Sequence, residues 1–127
     1  MAKILVVDDE EIIRQLLKDF LEIKGHEVVT ARDGIEALEK IKDVPDIVLL
    51  DIRMPHMDGL EALDKIKEIS PSTDVIMVTA LTEHDLALEA MKRGALDYVT
   101  KPISLKYLGE LIGFKLLQRS LEKDSDG

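Results

Sequence analysis

Four stretches of this 127-residue chain put a reactive side chain at the end of a run of apolar ones. Asp8 and Asp9 follow Ile4–Val7, Asp51 follows Ile47–Leu50, Thr79 closes Val75–Thr79, and Lys101 follows the weaker run Leu96–Thr100. Asp51 poses the sharpest question, because "PDIVLLDIRMPHMDG" interrupts an apolar stretch with a single acid. A carboxylate at the end of a buried segment is costly unless something holds it there.

Brought to one place, these groups make three carboxylates, a hydroxyl and an ammonium. The acids repel one another: two charges about 4 Å apart at an effective dielectric of about 20 interact by roughly 4 kcal/mol. The cluster therefore needs cations. Lys101 supplies one, and a hard divalent ion with oxygen ligands supplies the rest. Magnesium fits best, since it accepts a few carboxylates, keeps several waters and takes a phosphate oxygen as a further ligand. Beside such an ion and Lys101, Asp51 stays ionised with one oxygen free to attack phosphorus.

The elements that would gather these residues can be read from hydrophobic periodicity. Short β-branched runs at Ile4–Val7, Val28–Thr30, Ile47–Leu50, Val75–Thr79 and Leu96–Thr100 are apolar almost throughout, as strands buried on both faces are. Helical patterns alternate with them. Ile12, Ile13, Leu16, Leu17, Phe20 and Leu21 fall on one face and Gly25 stops the helix. Ile35, Leu38 and Ile41 form a second stripe opened by Asp33; Leu60, Leu63, Ile66 and Ile69 form a third, ended by Ser70-Pro71. Leu86, Ala87, Ala90 and Met91 form a fourth, closed by Gly94, and a fifth runs from about Ser104 to Leu121. Five strands alternating with five helices predict an α/β fold, a doubly wound parallel sheet with right-handed crossovers. One domain is expected over residues 1–121, with 122–127 a disordered polar tail or the start of a linker. Ligands of such sheets bind outside the carboxyl ends of the strands. Those ends carry Asp8-Asp9, Asp51, Thr79 and Lys101, whereas the second strand's Ala31-Arg32 adds nothing obvious.

With "VVDDEE", "DIRMPHMDG", "VTA" and "YVTKP" in this order, each at the end of its strand, the chain resembles the receiver domain of two-component response regulators over essentially its whole length. The resemblance implies a flavodoxin-like fold with strand order 2-1-3-4-5. It implies that Asp51 is the phosphoacceptor, taking the phosphoryl group from a phosphohistidine of a sensor histidine kinase or phosphotransfer protein. Asp9, Asp51 and the backbone carbonyl of Arg53 would ligate magnesium, with Asp8 acting mainly through a metal-bound water. Lys101 would neutralise one phosphoryl oxygen, and Thr79 would donate its hydroxyl to another near the Ala80 N–H. Such a site works by positioning and charge neutralisation. The resemblance implies a phosphoacceptor that catalyses only its own phosphorylation and dephosphorylation, rather than an enzyme on external substrates. Lys101-Pro102 would be a cis peptide, a form that X-Pro bonds tolerate. Thr79, drawn toward the phosphoryl group, would open space for Tyr98 to rotate inward. That motion would reshape the surface of the fourth helix, fifth strand and fifth helix as a population shift.

Plainer roles stand beside these. Asp51 could cap the following turn; Asp8 or Asp9 could cap the first helix. Lys101 could be a solvated lysine, Thr79 an ordinary strand residue, and Tyr98 a packing aromatic. Asp58-Gly59 reads as a turn and helix start, and His26, His56 and His84 as surface residues. Arg53 and Leu81, two residues past Asp51 and Thr79, offer no amide or carboxylate to orient a hydrolytic water, which predicts slow loss of the phosphoryl group. On the last helix, Leu105, Leu108 and Ile112 suffice to cover the sheet. Tyr107, Leu111, Phe114, Leu117 and Leu121 make a second stripe, either a wide core arc or a face for an effector or second copy.

Composition excludes several classes. A net charge of -9 argues against direct nucleic-acid binding, and the absence of cysteine rules out disulfides and thiolate metal sites. No apolar run approaches membrane-spanning length and "MAKILVVDDEE" does not read as a signal peptide, so the cytoplasm is expected. Among rivals, a haloacid-dehalogenase-type phosphatase resembles a motif with a second aspartate two places after the nucleophile, where this chain has Arg53. A flavin module would want a Ser/Thr/Gly-rich loop after the first strand. A receiver reduced to a scaffold would lack reactive positions that are all filled here. A stand-alone receiver and the N-terminal piece of a longer regulator both remain open.

Overall fold

The computed structural model describes residues 2–126, with side chains as far as Glu122. Strands and helices alternate: β1 (Lys3–Val7), α1 (Glu11–Ile23), β2 (Glu27–Ala31), α2 (Gly34–Lys40), β3 (Ile47–Asp51), α3 (Gly59–Ile69), β4 (Asp74–Ala80), α4 (His84–Lys92), β5 (Asp97–Lys101) and α5 (Leu105–Asp126). Short 3-10 turns over Ile41–Asp43 and Leu81–Glu83 follow α2 and β4. The strands pair in parallel in the order β2-β1-β3-β4-β5, the flavodoxin-like order expected.

Alternate strand residues feed two cores. Leu5, Val7, Val48, Leu50, Val75 and Met77 pack under α2, α3 and α4 with Ala37, Ala62, Leu63, Ile66, Ala87 and Ala90. Ile4, Val6, Ile47, Leu49, Ile76 and Val78 pack under α1 and α5 with Leu17, Leu21, Leu108 and Ile112. Burial on both faces is why these strands are apolar throughout. The helix starts are capped as their acids suggest: Asp33 accepts from the Glu36 N–H at 2.8 Å and Asp58 from the Glu61 N–H at 2.9 Å. Gly25 and Gly94 end α1 and α4 with positive φ.

Several expected stripes are wider than the face that is buried. On α1 only Leu17 and Leu21 are fully covered, Ile13 and Phe20 are half-buried, and Ile12 is 82% exposed. At about 100° per residue, Ile12 and Leu16 lie far round the helix from Leu17, beyond the sheet's reach. Ile35 is exposed for the same reason, and Gly34 and Ala37 take the core side of α2; Ile69, the last residue of α3, is exposed as well. A tail was expected from residue 122; α5 continues to Asp126, and Gly127 lies outside the described residues. Nothing in "LEKDSD" terminates a helix, since neither glycine nor proline intervenes and Glu and Lys are good helix formers.

Candidate functional site

Strand register builds the rim. Val7 lies level with Leu50, Asp51 with Val78, Thr79 with Thr100 and Ala80 with Lys101. Asp8, Asp51, Thr79 and Lys101 therefore leave four strands at one edge of the sheet, as expected. Asp8, Asp51 and Thr79 are buried, Lys101 is partly buried and Asp9 is exposed.

The Lys101 ammonium joins the acids. Its Nζ lies 3.2 Å from Asp51 Oδ2, 3.5 Å from Asp8 Oδ2 and 3.8 Å from Glu10 Oε1. The Arg53 N–H donates to the other Asp51 oxygen, Oδ1, at 3.3 Å. Burial pushes the Asp51 pKa up to about 6, and the Asp8 charge adds to the rise against the pull of Lys101. Burial raises Asp8 as well, opposed by the Glu10 N–H that donates to it at 2.9 Å and by Lys101. That contact sits at the entry to α1, where Glu10 rather than Asp8 is the N-cap residue. Lys101 loses ionisation free energy to burial, yet Asp51, Asp8 and Glu10 together hold its pKa above the ordinary value.

Asp8, Asp9 and Glu10 each offer an oxygen within 4.8 Å of the others. An oxygen-only donor set of this kind fits a hard divalent cation such as magnesium. Glu10 was not among the expected ligands, although it directly follows Asp8-Asp9 in "VVDDEE". Asp51 lies outside that tight group and is joined to Asp8 through Lys101. A cleft of about 480 Å³ beside the rim touches Asp9 and Arg53 and is floored by Ile52, Met54, Leu60 and Leu86.

Gly59 brings the loop after β3 close to the strand. Its N–H donates to Ile52 O at 2.7 Å, and a Cβ at this position would lie 2.6 Å from Ile52 Cα. Only glycine permits that approach.

The Thr79 hydroxyl and the Ala80 N–H, expected to meet a phosphoryl group, have internal partners here. Thr79 Oγ1 donates to Ala80 O at 3.2 Å, and Ala80 N–H donates to Glu83 Oε1 at 3.2 Å. Glu83 Oε2 also receives the Arg53 Nε–H, so Arg53 is an ion-pair partner rather than a free side chain. Sequence reasoning passed over Glu83; its signal was the acid at the third position of the turn after Ala80, where a side chain reaches back to an N-cap amide. Leu81 is exposed. Tyr98 is half-buried, its ring 6.1 Å from His84 and edge-on to it. The Lys101-Pro102 peptide is cis. Of the three histidines, His56 and His84 are exposed, but His26 is half-buried and accepts the Ala2 N–H through Nδ1 at 3.2 Å.

Comparison with known proteins agrees with this architecture. The chain is 41% identical over 123 residues to the regulatory protein AtoC of Escherichia coli, covering 96% of this chain and 27% of AtoC. It thus spans about a quarter of that longer relative. It is 41% identical over 102 residues to the chemotaxis protein CheY of Thermotoga maritima, covering 79% of this chain and 85% of CheY. A response regulator receiver domain protein from Clostridium thermocellum superposes with a TM-score of 0.89 at 39% identity, over 95% of this chain and 98% of that one. NtrX from Brucella abortus gives 0.92 at 38% identity over 98% of this chain and 29% of its own. The pattern of the response regulator receiver domain matches residues 4–113, a span that takes in β2 to β5, all of β1 but Lys3, and the rim they build. By that match the chain belongs to the family of response regulator receiver domains, the receiving modules of two-component signalling.

Proposed function

We propose that this chain is a phosphorylation-controlled switch whose acceptor is Asp51. The observation that carries the reading is one ammonium, Lys101 Nζ, held 3.2 Å and 3.5 Å from two buried carboxylates that come from different strands. A carboxylate oxygen of Asp51 attacks the phosphorus of a phosphohistidine on a sensor kinase or phosphotransfer protein. The O–P bond forms as the P–N bond breaks, and the electron pair leaves with the imidazole nitrogen. Lys101, already beside Asp51, takes up negative charge on a phosphoryl oxygen, and Thr79 supplies a hydroxyl donor. Asp8, Asp9 and Asp51, the Arg53 carbonyl and the neighbouring Glu10 would hold magnesium, which when bound neutralises charge on the transferring group.

The acceptor chemistry modifies the chain itself. Its readout is the surface of α4, β5 and α5, which engages an effector, an output domain or a second copy. A phosphohistidine donor sets this exchange in the cytoplasm, and a net charge of -9 speaks against direct contact with nucleic acid. The reading is supported further by the side chain two places past Asp51, where a phosphatase of the rival class would need an acid and Arg53 stands instead.

Incubation with acetyl phosphate and magnesium followed by mass spectrometry tests the assignment. One phosphoryl group is expected on the wild type, carried by the peptide containing Asp51, and none on Asp51→Asn. Modification of the variant to the same extent would sink it. The labelled wild type is also expected to lose its phosphoryl group slowly, because Arg53 and Leu81 present no group that orients water.

A further inference from the structure

Two loops flank the rim, and one carboxylate ties them together. Glu83 closes the 3-10 turn Leu81–Glu83 between β4 and α4, and its side chain is only 11% exposed. One of its oxygens accepts the Ala80 N–H at 3.2 Å; the other is ion-paired with Arg53 Nε from the loop after β3. Resting on the reading of Asp51 as acceptor, we infer that Glu83 is a built-in anion that occupies the phosphoryl group's amide and must leave before the switch can turn.

The Ala80 N–H is a single donor and serves one close anion at a time. A phosphoryl group on Asp51 carries about two negative charges, about one more than the carboxylate it modifies. It competes with Glu83 for the amide, and it repels the carboxylate in a site where nearby Asp8 and Asp51 show how little solvent screens charge. Once Glu83 leaves, its partner Arg53 is free to turn to phosphoryl oxygens, a charge-assisted and forked pairing. Glu83 is also the N-cap residue of α4, and the next residue, His84, lies edge-on to Tyr98 at 6.1 Å. Release of the carboxylate therefore loosens the start of α4 and the neighbour of Tyr98 in one step. Glu83 is a positioning residue and touches no reacting atom.

Beryllofluoride with magnesium, an unreactive stand-in for a phosphoryl group, separates this inference from the reading beneath it. Titration is followed by amide NMR on wild type, Glu83→Ala and Glu83→Gln. Glu83→Ala is expected to bind about tenfold more tightly than wild type, with Glu83→Gln between them, since a charged hydrogen bond no longer has to be displaced. In the absence of beryllofluoride, the Ala80 amide proton is expected to exchange faster in Glu83→Ala. A wild type that ignores beryllofluoride and magnesium overturns the acceptor reading. A wild type that responds, beside folded variants that bind no more tightly or an Ala80 amide whose exchange is unchanged, overturns the role of Glu83 alone.

Discussion

Asp8 and Asp51 are both buried and share one ammonium, so the rim carries more negative charge than its own cation offsets. The consequence for Asp51 has a definite sign. Its pKa stands at about 6 in the folded chain, against 3.8 for the ordinary group. Folded protein therefore holds this proton more tightly than unfolded protein. The stabilisation is fully present below about pH 4 and is lost as the pH rises through about 6. At neutral pH the fold carries a carboxylate that opposes it by an amount on the order of 3 kcal/mol. Asp51→Asn is accordingly expected to be more stable than wild type near pH 7 without magnesium, with the gap closing below about pH 4. Magnesium is expected to narrow the gap by stabilising the wild type, because binding to the folded state alone adds to stability. Denaturant melts across pH, with and without magnesium, check both points. A variant less stable than wild type at neutral pH would mean that Lys101 holds Asp51 more strongly than burial opposes it.

At the scale of elements, two glycines in helices do opposite things. Gly59 opens α3 against the end of β3, where a Cβ would press on Ile52 Cα at 2.6 Å and on the Asp51 carbonyl. Gly113 sits inside α5 with nothing within 4 Å of where a Cβ would go. Gly59→Ala is expected to cost about 2–4 kcal/mol, because backbone rather than a flexible side chain must move. It should also weaken magnesium binding, since the displaced segment carries Asp51 and Arg53. Gly113→Ala should stabilise by about 0.5–1 kcal/mol through helix propensity alone. Thermal unfolding and a magnesium titration of the two variants give the comparison; a tolerated alanine at Gly59 would refute the close-packing argument. Both glycines are visible in the sequence, but only the fold separates them. The caps at Asp33 and Asp58 were legible because capping is a local bond between near neighbours. The bond from Ala80 to Glu83 is equally local, yet Glu83 was passed over because no apolar run ends in it. Its partner Arg53 is thirty residues away in sequence, a pairing that no local pattern announces.

Across the whole molecule, the rim was legible because each reactive group ends an apolar run, whereas the register that brings Asp51 beside Asp8 and Lys101 is a property of the assembled sheet. The same assembly decides the character of α5. Leu108 and Ile112 are fully buried against β-strand residues, and Arg119 fastens the helix farther along, donating to Ser72 O at 2.8 Å and Asp74 Oδ2 at 2.9 Å. The outer stripe of Tyr107, Phe114, Leu117 and Leu121 is left exposed, so it adds little to the chain's own core. Leu111 is the exception, half-buried against that core. Of the two readings that periodicity left open, exposure favours a surface that meets something else. Leu117, 57% exposed, is the natural probe. Leu117→Glu should change the unfolding free energy by less than about 0.5 kcal/mol, as surface substitutions do, whereas a buried leucine would cost several times more. If the stripe pairs two copies in the switched state, sedimentation should detect a dimer with beryllofluoride and magnesium that Leu117→Glu abolishes. A monomer under both conditions assigns the stripe to a different partner, and a large loss of stability in Leu117→Glu would return it to the core.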